Sequence, residues 1–340
     1  LLADFPGYNA VMLMLPRLPN NSQWLAILLA VLGLMSGCAA TRHPAPHVLA
    51  TTQPATRPVV AGKPMIDFSK GAAGFPIVGH LPLNSKENFV AELTGGYAAR
   101  VVLPTTRPAV VAEGNFPHLD SLNIDLSDGT IRTSYRPTSL KSVRKMVPIA
   151  TVKSLSYTAA PLHYDDASQS LKITASDAKL SLVQGRGDKE VLVMTDASEG
   201  EAHFFVSLAD LRTIVRDVAD DDAEKAVFFV TDTKLTMTSD NPRSLQLTVE
   251  VRGFWLLVPA DITVTGRIDV DGDFNATLSH LSCTGIEVGG PLLAGFINTA
   301  LKKYQGKVMP LAAFPGDKLK MRDLHIGVDD ALHIDAAFGD

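Results

Sequence analysis

The chain has 340 residues, a formal net charge of −5, 46% apolar residues and 20% charged ones. That is ordinary globular composition, enough for one large domain or two modest ones. No basic stripe interleaved with aromatic residues occurs, which sets nucleic acid aside as a partner.

The first readable element is an address. Trp24 to Met35 is an unbroken apolar run preceded by a polar segment containing Arg17. Its length suits the h-region of a secretory signal, whereas a spanning helix needs about 20 apolar residues. It ends in Met35-Ser36-Gly37-Cys38, and small residues directly before a cysteine resemble the lipobox of bacterial lipoproteins. The resemblance implies cleavage before Cys38, then acylation of its sulfur (the palmitate-type modification) and of the new amino group. The alternative is an uncleaved anchor helix. Both readings place the rest of the chain outside the cytoplasm and on a membrane. Ala39, in place of an aspartate after the cysteine, implies the outer membrane of a two-membrane cell, facing the periplasm. Residues 1–37 are thus expected to be signal peptide. Residues 38–64, rich in Ala, Thr and Pro, have no apolar period and read as a tether. The only other cysteine, Cys283, reads as a small buried apolar residue and not as a disulfide partner of Cys38.

Residues 65–117 are rich in glycine and proline and read as an irregular lead-in, with a short helix from Lys86 to Leu93 and a strand from Tyr97 to Leu103. The main domain is expected over 118–340. Leu119, Leu122, Ile124 and Leu126 alternate up to Ser127-Asp128-Gly129, and Ile131, Thr133 and Tyr135 follow, which predicts a hairpin. Leu140, Val143 and Val147 suggest a short basic helix. Strands are predicted at Leu155–Tyr164, Ser170–Val183, Glu190–Met194 and Ala202–Val206, separated by turn clusters such as Asp165-Asp166 and Gln184 to Asp188. A helix is predicted from Ser207 to Val218, with Ser207 and Asp210 forming a capping-box-like start and an acidic turn, Asp220 to Glu224, at its end. Further strands are expected at Ala226–Val230, Lys234–Thr238 and Leu245–Val251.

The last quarter organises the rest. Phe254 to Gly266 is β-branched and aromatic, and reads as one strand interrupted at Pro259. Ile268 and Val270 lead to an Asp271-Gly272 turn, after which Phe274, Ala276 and Leu278 resume the alternation. Pro291 opens a helix carrying Leu292, Leu293, Phe296, Ile297, Ala300, Leu301 and Tyr304, with Gly306 just past its end. Leu319 to Val328 and Leu332 to Phe338 flank an Asp329-Asp330 turn. Many strands, two clear helices and no βαβ alternation predict an antiparallel α+β fold. One or two amphipathic helices would be wrapped by a strongly curved antiparallel sheet.

In order, the capped helix at Ser207, the meander leading to Thr265-Gly-Arg-Ile-Asp-Val-Asp-Gly272, the Val288-Gly-Gly-Pro-Leu-Leu helix start and the closing hairpin from Phe314 resemble the LmeA-like phospholipid-binding family. That family lies within the tubular lipid-binding (TULIP) fold. The likeness covers Leu155 to Phe338. It implies a helix packed in a curved sheet, with lipid acyl chains in the apolar groove between them.

The chemistry of an enzyme is missing from the sequence. No Gly-x-Ser-x-Gly elbow is present and no phosphate-cradling glycine loop opens a helix. His325 and His333, with Asp323, Asp329 and Asp335, read as solvated strand faces more readily than as a metal site. Asp269 to Asn275 looks superficially like a calcium loop, but its glycine falls at the fourth position and no glutamate closes it, so a turn is expected. No catalytic residue, metal or cofactor is therefore expected.

Candidate groove residues are Leu208, Leu211 and Val215 on the first helix, Phe228, Val230, Phe254 and Leu256 on strands, and Leu292, Phe296, Ile297 and Leu301 on the second. The expected function is an envelope lipoprotein that binds phospholipid or a similar amphiphile, for lipid transport or homeostasis, and reaches the membrane through Cys38. The alternative is a structural or adaptor lipoprotein with a closed core, acting through protein contacts. A dry core and a lipid groove use the same side chains, so sequence alone leaves the two open.

Overall fold

The computed structural model describes residues 74–104, 107–131, 145–164, 166–184, 190–216, 228–255, 257–311 and 318–340. The signal segment, Cys38, the tether, Leu140, Val143, the loop after Gln184, the acidic stretch 220–224 and Leu256 lie outside them.

Ser85 accepts a hydrogen bond from the Asn88 amide at 3.2 Å and caps α1 (Lys86–Ala98). Phe89, Leu93 and Tyr97 recur every fourth residue and are buried, so one stripe of the helix faces a core. The helix outruns the expected stretch, and the strand expected from Tyr97 shrinks to β1 (Val101–Val102). β2 (Val110–Asn115) and β3 (His118–Asp125) form a hairpin. The segment expected to be an irregular lead-in thus supplies a helix and two strands to the packed fold.

The hairpin expected at Ser127-Asp128-Gly129 does not form. β3 and β4 (Gly129–Ile131) both lie parallel to β5 (Lys145–Tyr164), with His118 opposite Thr151 and Gly129 opposite Leu162. At the jog between them, the Leu126 and Asp128 amides donate to the Thr158 and Pro161 carbonyls, each at 2.7 Å. These bonds fasten the jog to β5, so the chain carries on in the same direction. Asp128 takes a positive φ of 61° to do so. Parallel pairing with a later strand has no local signature, which is why the turn signal misleads.

β5 and β6 (Ala167–Gln184) are antiparallel over 20 and 18 residues. β7 (Glu190–Asp196) pairs with one stretch of β6 and β8 (Glu199–Ser207) with the other. The second sheet begins with β9 (Phe228–Thr238), which unites two strands expected separately, and continues with β10 (Ser244–Trp255). β11 (Val258–Val270), β12 (Asn275–Ile286) and β13 (Val308–Pro310) complete it in the order β13-β12-β11-β10-β9, antiparallel throughout. β14 (Lys320–Val328) and β15 (Ala331–Gly339) form the expected closing hairpin, and β15 also pairs with β8. The first sheet therefore has ten strands and is mixed, a correction to the wholly antiparallel expectation; neither sheet closes into a barrel.

The stretch from Phe254 to Gly266 is also corrected. Trp255 pairs with Val258 and Phe254 with Pro259, so the chain reverses there in a two-residue turn.

Helix α2 (residues 208–216) starts as the capping pattern predicts. The Asp210 amide donates to Ser207 Oγ at 3.0 Å, and the Ser207 hydroxyl donates to the Asp210 carboxylate at 2.6 Å. The same carboxylate accepts from the Ser168 amide at 3.0 Å, which ties the helix to β6. Helix α3 (Gly290–Leu301) has proline in its first turn. Among the described residues the fold is thus mostly β, with three helices.

Two apolar cores result. One gathers α1 with β1 to β6 around Leu119, Leu122 and Leu155. The other gathers Leu211 and Val215 of α2, the inner face of the second sheet and α3. They share strands: on β8, Ala202 belongs to the first core and Phe204 and Val206 to the second. On β15, Phe338 belongs to the first and Leu332 and Ile334 to the second.

Candidate functional site

The second sheet leaves most of the outer edge of β12 uncovered, because β13 pairs only with Asn275 to Thr277. Helix α3 and the turn after it serve that edge. Asn298 accepts from the Cys283 amide at 2.8 Å and donates to the Cys283 carbonyl at 2.6 Å. The Leu281 amide donates to Gln305 Oε1 at 2.8 Å, and the Gly306 amide to the Leu278 carbonyl at 2.7 Å. An Asn298→Ala variant leaves two backbone groups unpaired and is expected to lose about 2–3 kcal/mol. The thermal midpoint should fall by roughly 5–10 °C. An unchanged midpoint in a calorimetric scan would mean that the clamp is ornamental.

Around this frame the expected groove residues divide into three groups. Leu211, Val215 and Leu301 are buried in the second core. Leu208, Val230 and Ile297 are half-buried and pack against it. Phe254, Leu292 and Phe296 are exposed, and α3 turns Leu293 and Ala294 inward. The Phe228 and Leu256 side chains lie outside the description. The ring of Trp255 bridges the groups: it is half-buried and meets Phe296 edge-on with centroids 6.1 Å apart.

Sequence reading did not single out Phe229, Leu257, Ile286 and Val288, which are exposed at the same end of the second sheet. A signal was available: Leu257 stands in a turn where Asn, Asp or Gly is usual, and Ile286 and Val288 crowd the end of β12 and the loop after it.

Polar candidates resolve as structural. Asp271 accepts from the Asp273 and Asn275 amides at 2.9 and 2.8 Å, closing the β11–β12 turn. Burial works against its charge, but these bonds prevail and lower its pKa. Asp323 pairs with Arg243 at 3.1 Å and Asp329 with His333 at 3.2 Å. His203 lies between Asp335 (2.7 Å) and Glu201 (3.4 Å), and chiefly the Asp335 bond raises its pKa. Among the described residues no group of three or more His, Cys, Asp or Glu is placed to hold a metal. Cys283 is buried, and that burial pushes its thiol up to about 12, so it is no nucleophile. A cavity of about 380 Å³ lined by Gln246, Thr265, Gly266, Arg267 and His280 lies on the second sheet. Arg267 is held there by Asp240 and Asp269. No helix among the described residues is long and apolar enough to cross a membrane.

No family model, curated protein or solved structure matches this chain.

Proposed function

We propose that the chain is a membrane-anchored, extracytoplasmic lipoprotein that binds a phospholipid or similar amphiphile without transforming it, as the LmeA-like resemblance implies. One observation supports this reading above the others. Helix α3, Gly-Pro-Leu-Leu-Ala-Gly-Phe-Ile-Asn-Thr-Ala-Leu, carries no charged residue and is apolar on both its inward and its outward faces. A helix that carries large apolar side chains on its outward face as well as its inward one needs a second apolar partner beyond its core. From Leu301 through Ile297 and Trp255 to Phe296 and Leu292, the apolar surface passes without interruption from buried to exposed. The reading takes the five-stranded antiparallel sheet as the curved wall and α2 and α3 as the helices it wraps. Each buried acyl methylene contributes about 0.8 kcal/mol, so binding needs no covalent step. Native mass spectrometry of protein purified without delipidation should show an added lipid mass, displaced by a fluorescent acyl probe. Protein that carries no lipid and takes up no probe would leave the adaptor reading in its place.

A further inference from the structure

We propose that the end of the second sheet formed by the β10–β11 turn, the β12–α3 loop and the start of α3 is a tip that inserts into the surface of a lipid bilayer. The idea deepens the lipid-binding reading and rests on it for its setting.

Three chain segments bring large apolar side chains to this end. Leu257 in the turn is 84% exposed, Val288 in the loop 77%, Ile286 at the end of β12 66% and Leu292 on α3 63%. Phe229 and Phe254 form a cross-strand pair and are both exposed. Trp255, the next residue along β10, points to the opposite face, where it meets Phe296. Exposed apolar groups thus occupy both faces of the sheet and its extremity. A protein partner would cover one face; a medium that surrounds the whole end is a bilayer.

The turn itself argues in the same direction. Leu257 has a φ of +69°, a conformation costly for a bulky side chain and normally given to glycine or asparagine in such turns. Neither folding nor solubility gains from an exposed leucine held there. Among the described residues at this end, Arg252 pairs with Asp261 at 3.7 Å and the exposed Glu287 stands between Ile286 and Val288; these residues make no basic collar, so entry should not depend on anionic lipid. Its aromatic residues suit the headgroup boundary. The 36 residues from Cys38 to Ala73 span at most about 130 Å, so an acylated Cys38 would keep the tip within reach of the membrane.

The chain has two tryptophans, Trp24 and Trp255, and Trp24 falls in the segment expected to be cleaved, so the processed protein, or unprocessed protein with Trp24→Phe, reports from Trp255 alone. Phosphatidylcholine vesicles brominated on the acyl chains should quench and blue-shift its emission, and added phosphatidylglycerol should change this little. Leu257→Gly relieves the backbone and should keep or raise the thermal midpoint, yet weaken quenching about tenfold in lipid concentration; Val288→Asp should do at least as much. Quenching that is absent, or that neither variant changes from the wild-type level, overturns the proposal. So does a lipid-free dimer that Leu257→Gly dissociates. Quenching by vesicles from protein that carries no lipid in native mass spectrometry upholds the tip while refuting the bound-lipid function. The converse result, bound lipid without variant-sensitive quenching, refutes the tip alone.

Discussion

Replacing Gly285 by alanine is expected to cost about 3 kcal/mol or more, with a fall in thermal midpoint of roughly 6–12 °C. At Gly285 the backbone of β12 touches the backbone of α3 where the helix begins. A Cβ there would strike the Gly290 carbonyl, and one on Gly290 would stand 2.8 Å from the Asp261 carbonyl oxygen. Backbone cannot swing aside as a flexible side chain can, so the start of α3 must move. That displacement would strain the Asn298 clamp on Cys283 about two turns further along the helix. Gly295 provides the internal control. It lies in the same helix, and a Cβ there meets nothing within 4 Å. Gly295→Ala should therefore stabilise by up to about 1 kcal/mol, because glycine is a poor helix former. Two glycine-to-alanine changes ten residues apart should move the calorimetric midpoint in opposite directions. Equal shifts would show that the close approach of β12 and α3 is not rigid.

Glu92→Gln is expected to cost about 3 kcal/mol and to flatten the acid limb of the stability profile. Glu92 is buried on α1, where its carboxylate accepts the amides of Gly79, of His80 at 2.9 Å and of Leu81 at 2.6 Å. Burial disfavours its charge, but the surrounding amides outweigh burial and lower the pKa. A carboxylate with a lowered folded pKa contributes stability that is full above the unfolded value near 4.5. That contribution is lost as the pH falls through the folded value. Wild type should thus lose stability below about pH 4.5 more steeply than the variant, which lacks this titration. Glutamine also brings an NH₂ toward amides that need an acceptor, so some donors stay unpaired. Thermal melts from pH 3 to 7, with hydrogen exchange at residues 79 to 81, test both parts. Parallel acid limbs in the two proteins would refute the account.

Local chemistry made some of the fold legible and hid the rest. The capping pair Ser207–Asp210, Pro291 at the start of α3, the Asp271-Gly272 turn and the Asp329-Asp330 turn are each decided within a few residues, and all occur as read. The parallel course of β3 and β4 along β5 is decided by partners some thirty residues away, and Ser127-Asp128-Gly129 looks the same whether the chain reverses or only jogs. The turn after Trp255 escaped because leucine occupies it. At the candidate site, α3 was legible as a helix, but which of its residues the core would cover was not. Leu292 and Leu293 are adjacent in sequence, yet one is exposed and the other buried. A helix whose polar side chains, Asn298 and Thr299, lie only in its last turns gives no polar stripe along its start from which to tell them apart.

The placing of β15 has a bearing on how such a chain is made. It comes last in order among the described strands, yet it sits between β8 and β14 and sends side chains into both cores. Its partner β8 lies more than a hundred residues earlier. A chain emerging amino end first, from a ribosome or through a translocation pore, cannot finish either core before residue 339 is free. Until then the edge of β8 stays unpaired and open to chance pairing, so a holding chaperone has most to shield in this interval.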